Sequence, residues 1–118
     1  MAGDARLQRG DVWLVDFGEN LKDPEQAFRR PAVVVSDDRL HHPNLRIAIV
    51  IPGTSNIRGI SMHVVVSPDR GNGLVTETAF QVEQVRAVST RRLVERLGQI
   101  GAPAAHDLDK VLRSILRL

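Results

Sequence analysis

Apolar residues in this chain fall into short runs separated by turn chemistry, and only the last run has helical spacing. Residues 9–17 alternate, with Trp13, Val15 and Phe17 on one face and Val12, Leu14 and Asp16 on the other, which predicts a first strand. Residues 18–28 follow as a polar loop containing Asn, Asp and Pro. That is long for a hairpin connection, where about 2–5 residues is usual, and loops of this length tend to be functional or disordered. A second strand is expected over about 30–37. Its run Ala-Val-Val-Val at 32–35 is the pattern of a strand buried on both faces. Pro31 has no N–H, so it belongs at the first residue of that strand, and it biases Arg30 towards an extended backbone.

Further along, residues 38–43 read as one helical turn or a loop, and residues 45–51 as a third strand. Pro52-Gly-Thr-Ser-Asn56 closes that strand with turn residues. A fourth strand over 62–67 ends at Pro68, and Asp69-Arg-Gly-Asn-Gly73 is a strong turn signal. Residues 78–88 predict a fifth, longer strand, Ser89 caps a single turn, and residues 94–100 read as a further strand. Pro103 sits at a first-turn helix position, and Leu108, Val111, Leu112, Ile115 and Leu116 then form one apolar stripe. Asp107 and Asp109 lie early in that helix and Arg113 and Arg117 late, which suits its dipole. Five or six strands and one terminal helix predict a mainly β fold, a small antiparallel barrel or rolled sheet with the helix over one opening or face.

Composition narrows this picture only in places. One domain is the default at 118 residues, long enough to bury a core without disulfides or metals. The absence of cysteine removes disulfide scaffolds, thiol nucleophiles and cysteine zinc sites, and fits a reducing compartment. No apolar run approaches membrane-spanning length and the first residues lack a secretory signal, so a cytoplasmic protein is expected. The net charge is only +2. The pI near 9.9 overstates it, because arginine dominates the basic residues and no tyrosine or cysteine titrates. Only the placement of the arginines can argue for nucleic acid. Aromatics are few, which argues against a platform that stacks many bases.

Four segments together resemble the MazF/PemK family of toxin ribonucleases. They are Arg9-Gly-Asp-Val-Trp13; Glu25-Gln26, then Arg30-Pro31 running into Val-Val-Val-Ser36; an apolar third strand ending in Pro52-Gly-Thr-Ser-Asn56; and Glu83-Gln-Val-Arg-Ala-Val88 with Arg92-Leu93 behind it, ahead of a Leu-Gly turn and an apolar helix. The order and spacing of these segments cover nearly the whole chain. The resemblance implies a partly open SH3-like barrel of the CcdB/MazF type, acting as a homodimer. It also implies metal-independent cleavage of single-stranded RNA at short sequences, with no cofactor, and a cognate MazE-like antitoxin that lays a peptide across the dimer. Relatives often carry a small glycine-bearing loop between the first two strands. Here it is Glu19-Asn-Leu-Lys-Asp-Pro24, so their sequence preference does not carry over.

RNA brings its own nucleophile, the 2′-hydroxyl. An enzyme that uses it must accept that proton, stabilise the phosphorane oxygens and protonate the leaving 5′-oxygen. Arg30 is the candidate for the central role, since guanidinium is planar, always charged and matched to phosphate. A proton-transfer role for it is secondary, given a pKa above about 12. Thr54 is the family-matched hydroxyl, and Ser55 beside it could share the work. Glu25, a carboxylate on the same loop as Arg30, is the candidate general base; plain solvation is the alternative for a loop glutamate. Arg29, Lys22 and Arg58 are candidate phosphate contacts that set register, and Phe28 could stack on a base or anchor its loop. Glu83, Gln84 and Arg86 read as structural or as part of a dimer contact. His41, His42 and His63 invite a two-histidine mechanism but match no trusted family position, and their spacing supports no metal site. Two other functions share the fold: a CcdB-like toxin that poisons DNA gyrase, and a catalytically silent barrel that binds a peptide partner.

Overall fold

A computed structural model describes residues 7–18 and 29–118. Within them lie β1 (Asp11–Asp16), β2 (Arg29–Val34), β3 (Ile47–Thr54), β4 (His63–Val66), β5 (Thr78–Gln81), β6 (Arg86–Ser89), β7 (Leu93–Gln99) and α1 (Ala102–Leu116). All pairings are antiparallel, in the order β4-β5-β3-β2-β1-β7, with β6 also beside β3.

Alternation along β1, β2 and β3 sends neighbouring side chains to opposite faces, and each face has its own core. Trp13, Val15, Ala32, Val34 and Val50 pack on one side with Val88 of β6 and Leu93 of β7. β6 and β7 stand at opposite ends of the run β7-β1-β2-β3-β6, so the run has curled round this cluster into a partly open barrel. Register shifts between β1 and β7 tighten the curl. Val12, Val33 and Ile51 face the other way, against Phe80, Val82 and Leu108 of α1. The apolar run of β2 is therefore covered on both sides, as its sequence predicts. The helix covers one face, with Leu108 buried and Val111, Leu112 and Ile115 packed against the cluster; Leu116, its last residue, is half exposed.

Two expected boundaries change, and with them the strand count. The third strand does not end at Ile51 but runs on through Pro52 and Gly53 to Thr54. Pro52 stands where β3 exchanges β6 for β5 as its neighbour, and it needs no N–H there. The expected single strand over 78–88 is two strands, both paired with β3, in registers that differ by three residues. The 3-10 helix Val82–Gln84 takes up those three residues between β5 and β6. Strands are seven among the described residues, where five or six were expected.

Polar side chains fix the ends of these elements. Asp11 is fully buried; its Oδ2 accepts from the Gln8 N–H (3.0 Å) and Trp13 Nε1 (3.3 Å), and its Oδ1 from Arg96 Nη2 (3.3 Å). The Arg9-Gly-Asp-Val-Trp13 motif thus ties β1 to β7. Ser89 caps the 3-10 helix Thr90–Arg92 by accepting from the Arg91 N–H, as expected. Asp37 caps the 3-10 helix Asp38–His41, and the Arg39 backbone N–H and then its side chain hold the Asp37 carboxyl below its ordinary range. The stability this cap adds is present above the ordinary carboxylate range and is lost as pH falls through the lowered value. No helix among the described residues is long and apolar enough to cross a membrane.

Candidate active site

Arg30 comes from β2, at the barrel end where β1 pairs Val15 with it. Its side chain is largely buried, 7% exposed, and is held from two sides. Nε donates to the Gly53 carbonyl of β3 at 2.9 Å, and Nη2 donates to Gln81 Oε1 of β5 at 2.7 Å. The guanidinium plane is therefore fixed by two neighbouring strands, which a lysine ammonium could not match.

The β2–β3 register pairs Ala32 with Pro52. Extended by two residues, it brings Arg30 level with Thr54 on the same face. Gly53 lets β3 and β5 approach here, because a Cβ on it would lie 2.5 Å from Thr78 Cγ2 and 3.0 Å from the Phe80 ring. Thr54 Oγ1 accepts from the Asn56 N–H at 3.1 Å, which orients the hydroxyl and leaves its proton available to donate.

A pocket of about 390 Å³ opens beside these groups, lined by Arg29, Arg30, Thr54 and Ser55 and also by Gly73 and Leu74. Arg29 and Ser55 are exposed. The oriented Thr54 hydroxyl, Ser55 beside it and two guanidinium groups make this a place for an anion, and the volume suits a phosphodiester with its sugar.

The other site candidates are distributed differently. Arg58 is exposed on the segment after Ser55 and does not line the pocket; with the Asn56 amide turned to present its oxygen, that oxygen accepts from Arg58 Nε (3.2 Å) and Nη2 (3.0 Å). Lys22, Glu25 and Phe28 lie outside the described residues, as does the rest of the loop at 19–28. Among the described residues no group of three His, Cys, Asp or Glu side chains is placed to hold a metal ion.

The histidines are apart and structural. His41 is buried, with Nε2 2.6 Å from Ser36 Oγ and Nδ1 3.1 Å from the Leu7 carbonyl, while Ser36 Oγ accepts from the Ile49 N–H. His63 on β4 places Nε2 2.8 Å from Glu83 Oε2, and its Nδ1 is buried without a partner. This pair clamps the 3-10 helix after β5 onto β4, consistent with a structural reading of Glu83. Arg86 lies over the Phe17 ring, 5.5 Å from its centre. Glu83→Ala removes the partner of His63 Nε2 at the exposed side of this contact and is expected to cost about 0.5–1.5 kcal/mol, read from denaturant unfolding.

Gln81 was not legible as a site residue. It stands just before the Glu83-Gln84 motif, and only the pairing of β5 with β3 and β4 turns it towards Arg30.

Comparison with known proteins gives the chain a family and a fold. The family described as PemK-like, MazF-like toxin of type II toxin-antitoxin system matches residues 8–116. The chain belongs to this family. Endoribonuclease MazF9 of Mycobacterium tuberculosis is 34% identical over 116 residues, covering 95% of this chain and 98% of that protein. Probable endoribonuclease MazF5 of the same organism is 37% identical over 92 residues, 78% of this chain and 76% of that protein. Among solved structures, MazF from Deinococcus radiodurans superposes with a TM-score of 0.77 at 23% identity, covering 95% of this chain and 97% of that one. An endoribonuclease in complex with its cognate antitoxin, from a mycobacterial species, gives 0.75 at 18% identity, with 95% and 96% covered. At such identities the structural likeness carries the fold: a mainly β, partly open MazF-type barrel with a C-terminal helix. The PemK/MazF match and the endoribonuclease names favour the nuclease over the gyrase poison.

Proposed function

We propose that this chain is the RNA-cleaving toxin of a toxin–antitoxin pair, cutting single-stranded RNA through the RNA's own 2′-hydroxyl. The observation that carries this reading is one pocket in which Arg30, held by Gly53 and Gln81, stands beside the Thr54 and Ser55 hydroxyls. The endoribonuclease names of the relatives support it.

In the step, the 2′-oxygen bonds to the adjacent phosphorus and the bond from phosphorus to the 5′-oxygen breaks. The 2′-hydroxyl proton passes to a base, and a proton is delivered to the departing 5′-oxygen. The products are a 2′,3′-cyclic phosphate and a 5′-hydroxyl. Arg30 stabilises the charge that builds on the phosphorane oxygens, where a donor oriented in advance acts most strongly. Thr54 holds a phosphoryl oxygen or the attacking hydroxyl, with Ser55 beside it. Glu25 is the base in this reading. Arg29 and Lys22 hold neighbouring phosphates, Arg58 meets the strand further along, and Phe28 stacks on a base.

The chain would act as a cytoplasmic homodimer, opposed by an antitoxin whose acidic and apolar segment complements the arginine-lined surface. Primer extension on a long RNA in EDTA tests the reading. Wild type is expected to cut at defined short sequences, and Thr54→Val to lower kcat/KM about a hundredfold. Cleavage lost in EDTA, or unchanged in Thr54→Val, would overturn the assignment. Gyrase-dependent DNA breaks without RNA cuts would favour the gyrase poison, and peptide binding with neither activity the silent barrel.

A further inference from the structure

We propose that the apolar half of this pocket seats the base next to the phosphate being cut, and that Val75 is the residue that selects which base sits there. The inference rests on the ribonuclease reading of the pocket and deepens it from a cut to a choice of where to cut. The lining has two chemistries. Arg29, Thr54 and Ser55 offer charge and hydroxyls to a phosphate, which positions the strand without reading it. Leu14, Pro31, Leu97 and Val75 offer hydrocarbon. Leu14 and Pro31 are register partners on β1 and β2, on the face that also carries Val12 and Val33 into the core under α1. At this end of the face they are only half-buried, as is Leu97. The core face thus runs out into the pocket with apolar surface still open. RNA that is read by sequence is single-stranded, with bases turned out against side chains. Among the described residues no aromatic ring lines the pocket, so a base here is gripped by aliphatic contact and chosen by shape.

Val75 carries the choice because of how it is mounted. It is 97% exposed, which alone would mean nothing for a single valine. Leu74 before it is buried in the core under α1. The Leu74 N–H donates to Asn72 Oδ1 at 3.0 Å, and the fully buried Asn72 also donates through Nδ2 to the Ser67 carbonyl at 3.0 Å. On the other side, the Thr76 carbonyl accepts from Thr78 Oγ1 at 3.0 Å. Val75 is therefore held between two bonded neighbours, and its branched side chain is stiff. A base entering the apolar half meets it as a fixed edge and takes its surface out of water.

Two substitutions test this, and neither reaches the core because Val75 is exposed. A random-sequence RNA pool is cleaved in EDTA and the 5′-hydroxyl ends are sequenced, which gives the base preference at each position around the cut. Wild type is expected to prefer one base at a position adjoining the cut. Val75→Ala trims the edge; it is expected to weaken that one preference about threefold or more and to leave every other position within about twofold. Val75→Asp sets a negative charge beside the strand and is expected to raise KM about tenfold, with kcat changed less than about threefold. Preferences unchanged at every position in both variants would overturn the role of Val75. A uniform fall at all positions, with Val75→Asp sedimenting as a smaller species than wild type, would overturn it too, by making Val75 a contact between copies of the chain.

Carbon-13 NMR of the Val75 methyl groups reads the base contact without reference to cleavage. A pool of short 2′-fluoro RNAs, which lack the attacking oxygen, is expected to shift these signals, and abasic strands of the same length are expected not to. Methyl signals that stay in place with the 2′-fluoro RNAs, or move equally with the abasic strands, would overturn the base seat. A wild type that cleaves no RNA would sink the ribonuclease reading, while the methyl titration would still decide whether a base meets Val75.

Discussion

Arg30→Ala is expected to lower RNA cleavage by at least about a thousandfold in kcat/KM, since the stabilising charge and its fixed orientation are lost together. The substitution also leaves the Gly53 carbonyl and Gln81 Oε1 without the donor they share, at a cost of about 1–3 kcal/mol. The comparison therefore belongs well below the melting temperature of the variant, with circular dichroism confirming the fold. Arg30→Lys is the sharper control. It keeps the charge, yet one ammonium cannot reproduce the planar fork that meets Gly53 and Gln81 while facing the pocket. A loss of about a hundredfold is expected from it. If Arg30→Lys cleaves as well as wild type, charge alone is enough and the oriented guanidinium is not required.

Gly73→Ala is expected to have the largest effect on the fold. Gly73 has a φ of +69°, which favours glycine, and a Cβ there would lie 2.1 Å from the Leu97 carbonyl oxygen of β7. That neighbour is backbone of β7, at the bulge where Leu97 is left out of the register with β1, and moving it would disturb the pairs on either side. Overpacking alone costs about 1–3 kcal/mol, and the left-handed backbone adds to it. Because Gly73 and Leu74 line the same pocket as Arg30 and Thr54, any shift that relieved the contact would also reshape the pocket. Urea unfolding should show the midpoint falling sharply, with cleavage reduced even where the variant is folded. A variant within about 0.5 kcal/mol of wild type would mean that this turn does not pack on β7 as described.

Much of this was legible from particular residues. The apolar run after Pro31 announces a strand covered on both faces, and the spacing of Leu108, Val111, Leu112 and Ile115 announces the helix that covers one of them. Arg30 and Thr54 are marked by their motifs, and the structure brings both to one pocket. What the chain conceals are relations between strands. Residues 78–88 contain no breaker, so nothing local signals that Val82–Gln84 must leave the ladder; only the two registers on β3 require it. Gln81 is hidden for the same reason, since its partner is 51 positions away and is met only through pairing. Thr54 reads as a turn residue because Pro and Gly precede it, yet β2 pairs with Pro52 and β5 with Gly53 and Thr54, which keeps all three in the strand. The His63–Glu83 contact likewise joins two segments that share no local signal.

The central claim is that the RNA supplies the attacking oxygen and Arg30 stabilises what it forms. The most direct test is a short RNA carrying one mapped cut site, compared with the same RNA bearing a single 2′-deoxy nucleotide on the 5′ side of that cut. The unmodified strand is expected to give a 2′,3′-cyclic phosphate and a 5′-hydroxyl, and the 2′-deoxy strand to remain intact while still binding. Cleavage of the 2′-deoxy strand at that position, or a 5′-phosphate on the product, would contradict the account.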